Sequence, residues 1–251
     1  MAEASPAGAR RRIIVLRHGE TLDNAAGIWQ GQRDTPLSEQ GLSQARVAAP
    51  SLRALAPDLL VSSDLARAAA TAEIVGEACG LPVRLDPRLR EINVGRWSGM
   101  TTAQVRAQDG PTLEALSRGE DVRRGGSGET VAELAERVGA ALASILQMLS
   151  DGGTALVVCH GVAGRACVAA LLGLDQLGAV ALLRGLGNAH WAVVAEVSGP
   201  AAPGSPERPL GTWALESWNV GPCRVERAWA DLVSCGGSQV DFPGSSGDAG
   251  L

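Results

Sequence analysis

Two short apolar runs, each followed closely by a histidine and a glycine, constrain the fold of this chain most. Residues 13–15 lead into Leu16-Arg17-His18-Gly19, and residues 156–158 lead into Cys159-His160-Gly161. Short, continuously apolar runs are typical of strands buried on both faces of a parallel sheet. Ligands of an open α/β sheet collect beyond the carboxyl ends of its strands, so we expect the two imidazoles to meet there.

The remaining pattern alternates strands with helices. We predict an α/β fold, a three-layer α/β/α sandwich with a mostly parallel mixed sheet. Asp64 is expected to be the N-cap of an alanine-rich helix, and residues 89–94 a short extended piece. Strands are predicted at 12–16, 58–62, 81–86, 154–159, 190–197 and 212–218, the last two as an antiparallel pair, and helices at 38–55, 64–79, 130–149 and 161–172.

One domain accounts for most of the chain. We predict a flexible N-terminus over residues 1–11, a domain over 12–222 and a C-terminal tail over 223–251 that is partly disordered. Residues 97–128 have mixed polarity and clustered glycines, which indicates a lid-like insertion over the sheet. The glycines at 125–128 are expected to be a flexible hinge.

Arg17 and His18 suggest phosphoryl transfer. A neutral imidazole can attack phosphorus while a neighbouring guanidinium holds the phosphate oxygens with its fixed fork of donors. Arg67 falls in the first turn of a predicted helix, where backbone amides also favour anions. Two arginines and a partly positive His160 would offset the charge that develops on phosphorus.

Further motifs follow in order along the chain. They include Asn24, Trp29-Gln30-Gly31, Ser62-Ser63-Asp64-Leu65-Ala66-Arg67-Ala68, Leu89-Arg90-Glu91 and Gly128-Glu129-Thr130. Together with the two His-Gly pairs, this ordered set resembles the histidine phosphatase superfamily, the phosphoglycerate-mutase-like proteins, from about residue 13 to about residue 219.

The resemblance implies a role for each matching residue. His18 would be the nucleophile that forms a phosphohistidine, and Glu91 the proton donor, with Glu20 as a rival for that role. The residues implied to bind the phosphoryl group are Arg17, Asn24, Gln30, Arg67 and His160. No cluster of metal-ligating residues stands out in the sequence, so we expect no metal or cofactor to take part. Because dimers are common among the proteins that this chain resembles, we expect a homodimer.

The segment after Glu91 favours hydrolysis over transfer. Mutases resembling this chain carry an aromatic and basic segment of the Arg-His-Tyr-Gly type there, whereas this chain reads Ile92-Asn93-Val94-Gly95-Arg96-Trp97. We therefore predict a metal-independent phosphomonoesterase acting on a small phosphorylated metabolite of the sugar phosphate or phosphoglycerate type. A mutase remains the alternative.

Two other interpretations stay open. Cys159 and Arg165 have the Cys-x5-Arg spacing of thiolate phosphatases, although Val158 and Ala166 depart from that motif. A catalytically silent protein that binds phosphorylated ligands is the second, although His18, Arg17 and the other expected catalytic residues are all present.

Composition narrows the partners and the compartment. A net charge of −5 gives no basic footprint for nucleic acid, so a phosphorylated substrate needs a local positive pocket. We expect Arg123 and Arg124 to contact a second acid group of the substrate, and Trp29 and Trp97 to line the pocket mouth. The chain has no long apolar segment for a membrane, and its five cysteines lack CxxC spacing, so reduced thiols in the cytoplasm are expected.

Overall fold

Residues 10–197 and 210–221 are described by the computed structural model, which shows a six-stranded sheet between two layers of helices. The strands are β1 (Arg12–Arg17), β2 (Leu59–Ser62), β3 (Val83–Leu85), β4 (Thr154–Cys159), β5 (Trp191–Glu196) and β6 (Trp213–Val220). The helices are α1 (Leu22–Ala25), α2 (Glu39–Ala54), α3 (Ala66–Cys79), α4 (Thr102–Ser117), α5 (Val131–Met148), α6 (Gly161–Leu172) and α7 (Gly178–Leu182). Two short 3-10 turns, Pro87–Leu89 and Gly95–Trp97, lie between β3 and α4.

The strand order is β3-β2-β4-β1-β5-β6. The first four strands in this order are parallel, while β5 runs antiparallel to both β1 and β6. Arg17 pairs with Cys159 in the register between β1 and β4, so His18 and His160 leave neighbouring strands at the same level. The predicted mixed sheet and its antiparallel final pair are confirmed.

The two faces of β1 enter two separate cores. Ile13 and Val15 pack with α5 and α6, whereas Ile14 and Leu16 pack with α2 and α3. All four side chains are buried, which explains why the run is continuously apolar. Each contributes about 1.5–3 kcal/mol of transfer free energy. The three-layer sandwich is therefore confirmed.

Two local predictions were wrong. Helix α3 has Leu65 as its N-cap, with no side-chain cap bond, and Asp64 instead forms an ion pair with Arg90 at 2.5 Å. The carboxylate of Asp34 accepts the Ala66 N–H at 2.7 Å in its place. A cation contributed from a distant segment thus outcompetes the local cap. The expected extended piece at 89–94 begins one residue too early, since Leu89 belongs to the first 3-10 turn, and none of its residues joins a strand.

The segment 97–128 contains α4 and no strand, and its lid role stays a prediction. The expected glycine hinge was wrong, because these glycines pack closely. A Cβ on Gly125 would lie 2.2 Å from the carbonyl oxygen of Val94, and its φ is +54°. Close backbone contact therefore fixes this turn against the segment that carries Glu91.

Within the described part of the chain, no helix is both long enough and apolar enough to cross a membrane. Except for residues 10 and 11, the predicted flexible N-terminus lies outside the described residues, as does the C-terminal tail.

Candidate active site

A cavity of about 140 Å³ opens where β1 and β4 end. Six of the predicted site residues line it: Arg17, His18, Asn24, Gln30, Arg67 and Glu91. The seventh, His160, lies fully buried beside His18, with the two ring centroids 5.1 Å apart. The structure thus brings together residues that are far apart in sequence.

The His18 ring is held in a single tautomer. Its Nδ1 lies 2.6 Å from the carbonyl oxygen of Gly19, which can only accept a hydrogen bond, so Nδ1 carries the proton. Nε2 accepts a bond from Arg67 Nε at 3.3 Å and therefore presents a lone pair. Burial, and then the charges of Arg67 and Arg17, hold the pKa of His18 well below 6.5. The imidazole is neutral and nucleophilic at pH 7.

The second histidine has a different environment. His160 Nε2 lies 2.9 Å from the Ser63 hydroxyl, and its Nδ1 has no partner among the described residues. Burial, followed by the charges of Arg67, His18, Arg17 and Arg137, lowers the pKa of His160 well below its usual value. His160 is therefore neutral at pH 7, which corrects the expected partial positive charge.

The two arginines are anchored by backbone carbonyl groups. Arg67 donates to the carbonyl oxygens of Arg33 and Gly31, both at 2.8 Å, and Arg17 donates to that of Leu186 at 2.6 Å. Burial is the main cause that lowers the pKa of Arg67 to about 10, so its side chain still carries a full charge at pH 7. Both guanidinium groups are fixed in place before a ligand arrives.

Two amide side chains have their orientation fixed by neighbours. The Asn24 Oδ1 accepts bonds from Thr21 N–H at 3.2 Å and from Asn188 Nδ2 at 3.3 Å. Gln30 Oε1 accepts the Thr35 hydroxyl at 2.5 Å. Each oxygen is thereby occupied, so each amide NH2 group is available as a donor at the cavity.

The carboxylate of Glu91 lies at the N-terminus of α6. It accepts the N–H groups of Val162 at 3.1 Å and Ala163 at 3.0 Å. Glu20, the rival for the acid role, is not among the residues that line the cavity, and its carboxylate accepts the Ser38 hydroxyl at 3.1 Å. The geometry therefore favours Glu91.

A partly buried ion pair between Arg137 and Glu129 supports the backbone of Glu91 from the side away from the cavity. Arg137 bonds both carboxylate oxygens of Glu129, at 2.7 and 2.8 Å, and donates to the carbonyl oxygen of Glu91 at 2.9 Å. Glu129 in turn accepts the Asn93 N–H at 2.8 Å. Sequence reasoning quoted Glu129 only as part of a motif and missed Arg137.

The structure also separates two pairs of residues that the sequence treated alike. Arg124 is 2 % exposed and lines the cavity, whereas Arg123 lies on the surface and pairs with Glu133. Trp29 lines the cavity, but Trp97 is buried behind it at an edge-to-face distance of 5.4 Å. The expectations for Arg123 and Trp97 were wrong, since sequence adjacency or likeness does not show which way a side chain points.

The thiolate interpretation does not fit the geometry. Cys159 is fully buried, does not line the cavity, and has its pKa raised well above the usual value, first by a hydrogen bond with Cys167 and then by burial. Arg165, its partner in the motif, does line the cavity, and sequence reasoning missed that role. The described residues contain no group of three or more His, Cys, Asp or Glu that could hold a metal ion.

Comparison with known proteins gives consistent matches. The profile of the histidine phosphatase superfamily (branch 1) matches residues 13–196. The chain is 40% identical over 217 residues to glucosyl-3-phosphoglycerate phosphatase of Mycobacterium tuberculosis, which covers 84% of this chain and 95% of that protein. It is 39% identical over 163 residues to a probable phosphoglycerate mutase of Yersinia pestis, covering 65% of this chain and 75% of the relative.

Solved structures agree with these relatives. The structure of mycobacterial glucosyl-3-phosphoglycerate phosphatase in complex with VO3 has a TM-score of 0.73 and 37% sequence identity. The match covers 84% of this chain and 100% of that one. This chain therefore shares its fold with that solved structure.

Proposed function

The chain belongs to the histidine phosphatase superfamily, and from this premise we propose that it hydrolyses a small phosphorylated metabolite through a phosphohistidine on His18. The observation that carries this proposal is the state of His18 itself. A neutral ring presents the Nε2 lone pair beside Arg67, in a cavity that Arg17 also lines. This is the arrangement that attack on a phosphate ester requires.

In the first step, His18 Nε2 forms a bond to phosphorus as the bond from phosphorus to the ester oxygen breaks. The carboxyl group of Glu91 gives its proton to the leaving alcohol. The Nδ1–H of His18 keeps its bond to the Gly19 carbonyl oxygen and stabilises the positive charge that the ring acquires. Arg17, Arg67, Asn24 and Gln30 hold the phosphoryl oxygens.

In the second step, water replaces the alcohol. The Glu91 carboxylate takes a proton from the water, whose oxygen attacks phosphorus as the N–P bond breaks. Inorganic phosphate leaves, and His18 regains its lone pair. One carboxyl group serves first as the acid and then as the base, so the cycle needs no second titrating residue.

The relative from Mycobacterium tuberculosis suggests which substrate to test first. Its name specifies a phosphate ester of glycerate that carries a glucosyl group. We propose that this chain acts on an ester of the same class, a phosphorylated glycerate or sugar acid. The mutase alternative rests on the name of the Yersinia relative and makes a different product, an isomerised ester.

The test follows turnover and product together. p-Nitrophenyl phosphate and glucosyl-3-phosphoglycerate are incubated with wild type, His18→Ala and, as a matched control, His190→Gln. His190 is the third histidine, does not line the cavity, and is within 3.0 Å of the Asn188 carbonyl oxygen. We expect phosphate release by wild type and the control, and none by His18→Ala. In a parallel incubation with 3-phosphoglycerate, which has a free hydroxyl group, isomerised ester seen by phosphorus NMR would support the mutase instead.

The intermediate itself can be trapped. Wild type quenched in alkali during turnover of a labelled ester should carry a phosphoryl group that is stable to alkali and lost in acid, as a phosphoramidate is. A Cys159→Ala variant should retain turnover, because Cys159 lies outside the cavity. Loss of activity in Cys159→Ala, with label absent from wild type, would refute the histidine mechanism.

We place the enzyme in the cytoplasm and expect a homodimer. The described cysteines, Cys79, Cys159 and Cys167, are free thiols, which supports a reducing compartment. Cell fractionation and light scattering of the purified protein measure these two properties directly.

A further inference from the structure

The side chains of two buried arginines in the cavity make no hydrogen bond to any described residue. Arg124 is 2 % exposed and Arg165 is 6 % exposed, and both line the cavity that His18 lines. The Nε and Nη1 atoms of Arg124 are buried and have no partner in the described part of the chain. By contrast, Arg67 in the same cavity uses all three guanidinium nitrogens in bonds to the protein.

A buried guanidinium without partners is costly for the fold. Glu91 does not satisfy either arginine by direct bonding, since its two oxygens accept backbone N–H groups at 2.9–3.1 Å. Burial is the main cause that lowers the pKa of both arginines, while the charge of Glu91 raises both pKa values. The charge of Arg165 lowers the pKa of Arg124 further, because the two cations repel each other. An arrangement that costs stability in this way is typical of a binding site rather than a structural pair.

Rigid elements hold both groups. The turn that carries Arg124 closes through its own backbone, with the Gly128 N–H donating to the Arg124 carbonyl oxygen at 2.8 Å. Gly125 and Gly95 pack that turn against the segment after Glu91. Arg165 lies in α6, the helix whose first turn binds the Glu91 carboxylate. The backbone at both residues is therefore held in place before a ligand binds.

We propose that Arg124 and Arg165 form a second anion site that binds a carboxylate on the leaving group of the substrate, so that the enzyme selects phosphate esters of carboxylic acids. This inference rests on the proposed function, because it places the phosphate at His18. Arg17 and Arg67 already serve the phosphate, which leaves two further cations in one cavity of a chain whose net charge is −5. A planar carboxylate matches the guanidinium fork.

The chemistry of the relative agrees with this selection, since the glycerate in its name carries a carboxylate.

The neighbouring residue Arg123 offers a control for Arg124. Arg123 points to the surface, where it pairs with Glu133 and donates to the Gly128 carbonyl oxygen. Arg123→Met is thus a matched control for Arg124→Met: the same substitution one residue away, outside the cavity.

The experiment compares two substrates that differ in one group. 3-Phosphoglycerate carries a carboxylate where glycerol 3-phosphate carries a hydroxymethyl group. We expect wild type to prefer 3-phosphoglycerate in kcat/KM, and Arg124→Met and Arg165→Met each to lower that preference about tenfold or more, the scale of a charge-assisted hydrogen bond. Arg123→Met should keep the wild-type preference.

A binding measurement separates failure of this inference from failure of the proposed function. In a His18→Ala background, which cannot turn over, calorimetry gives the dissociation constants of both esters with and without Arg124→Met. Loss of selective binding of 3-phosphoglycerate supports the second site even if wild type shows no turnover. Arg124→Lys serves if Arg124→Met does not fold, and it should also lose preference because it lacks the fork.

Three results would overturn the inference. The first is the absence of a preference between the two esters, either in kcat/KM of the wild type or in binding by His18→Ala. Another is an equal loss on both esters in Arg124→Met, which would assign this arginine to the phosphate instead. The last is an equal loss of preference in Arg123→Met, which would point to long-range charge rather than to a site.

Discussion

Replacing Arg137 by methionine should impair catalysis, although this residue lies behind the active site. Arg137 bonds the Glu129 carboxylate twice and donates to three carbonyl oxygens, those of Arg88, Arg90 and Glu91, at 2.7–2.9 Å. It is a positioning residue, because it holds the backbone that carries the proposed proton donor and touches no part of the cavity. Methionine keeps the aliphatic stem and removes every one of these bonds.

The side chains of Arg137 and Glu129 are 19% and 20% exposed. Breaking a fully buried pair costs about 3–5 kcal/mol and breaking an exposed pair about 0–1 kcal/mol, so we expect a loss of about 2–3 kcal/mol here. Urea unfolding measures this loss. Arg88→Met is the matched control, because the Arg88 side chain is 41% exposed and pairs with Asp86, and it should cost less than about 1 kcal/mol.

The dependence of kcat/KM on the leaving group distinguishes a positioning role of Arg137 from a purely structural one. A displacement of Glu91 by about 1 Å is enough to cost about a hundredfold in rate. kcat/KM reports formation of the phosphohistidine, and an alkyl leaving group needs the proton from Glu91 far more than p-nitrophenolate does. Arg137→Met should therefore lower kcat/KM for glycerol 3-phosphate about 10- to 100-fold, and that for p-nitrophenyl phosphate much less. Equal losses on both esters in a folded variant would refute this reasoning.

Three further predictions follow from the buried groups and the backbone. Because His18 and His160 have pKa values below 6.5 in the folded state, the unfolded chain binds more protons below that pH, so the free energy of unfolding should fall as pH drops from 7.5 to 5.5. A constant urea midpoint over that range would contradict this. Gly125→Ala should destabilise by about 2 kcal/mol or more through its contact with the Val94 carbonyl, whereas Gly119→Ala, also at positive φ but with open space, should cost about 1 kcal/mol. Turnover should persist in EDTA, and recovery only after a divalent ion is restored would overturn the metal-independent mechanism.

Most of the fold could be predicted because the residues of β1 and β4 themselves indicate that these strands are buried, without reference to distant segments. A strand buried on both faces must be continuously apolar, and the residues that follow it must lie at the sheet edge. His18 and His160 could therefore be placed together from two short runs, and the register of Arg17 with Cys159 bears this out. The start of the helix predicted from Ser38 was also readable, because the Ser38 hydroxyl accepts the Gly41 N–H of its own first turn.

What the sequence did not predict depends on partners far along the chain. Aspartate is a residue type that commonly caps helices, yet the Asp64 carboxylate forms an ion pair with Arg90 instead. Arg123 and Arg124 look equivalent in sequence, and only the packing of the turn after them sends one to the surface and the other into the cavity. Arg165 was visible only as part of a cysteine motif, although its chemistry belongs to the cavity. Side-chain direction in irregular segments has no periodic signal to read.

The hydrogen bonds of the two histidines, rather than their motifs, distinguish the nucleophile. Both rings follow a strand, precede a glycine and are neutral, so sequence and charge alone do not rank them. His18 donates Nδ1–H to a carbonyl oxygen that cannot rotate away, which fixes the lone pair on Nε2 and can stabilise a cationic, phosphorylated ring. The Nε2 of His160 is engaged by the Ser63 hydroxyl, and no described acceptor supports its Nδ1. Attack by either ring would break the hydrogen bond at its Nε2, but only the cationic ring of His18 would keep an acceptor for its Nδ1–H among the described residues. We therefore propose His18 for the covalent step, and His160 for the binding of the phosphoryl group.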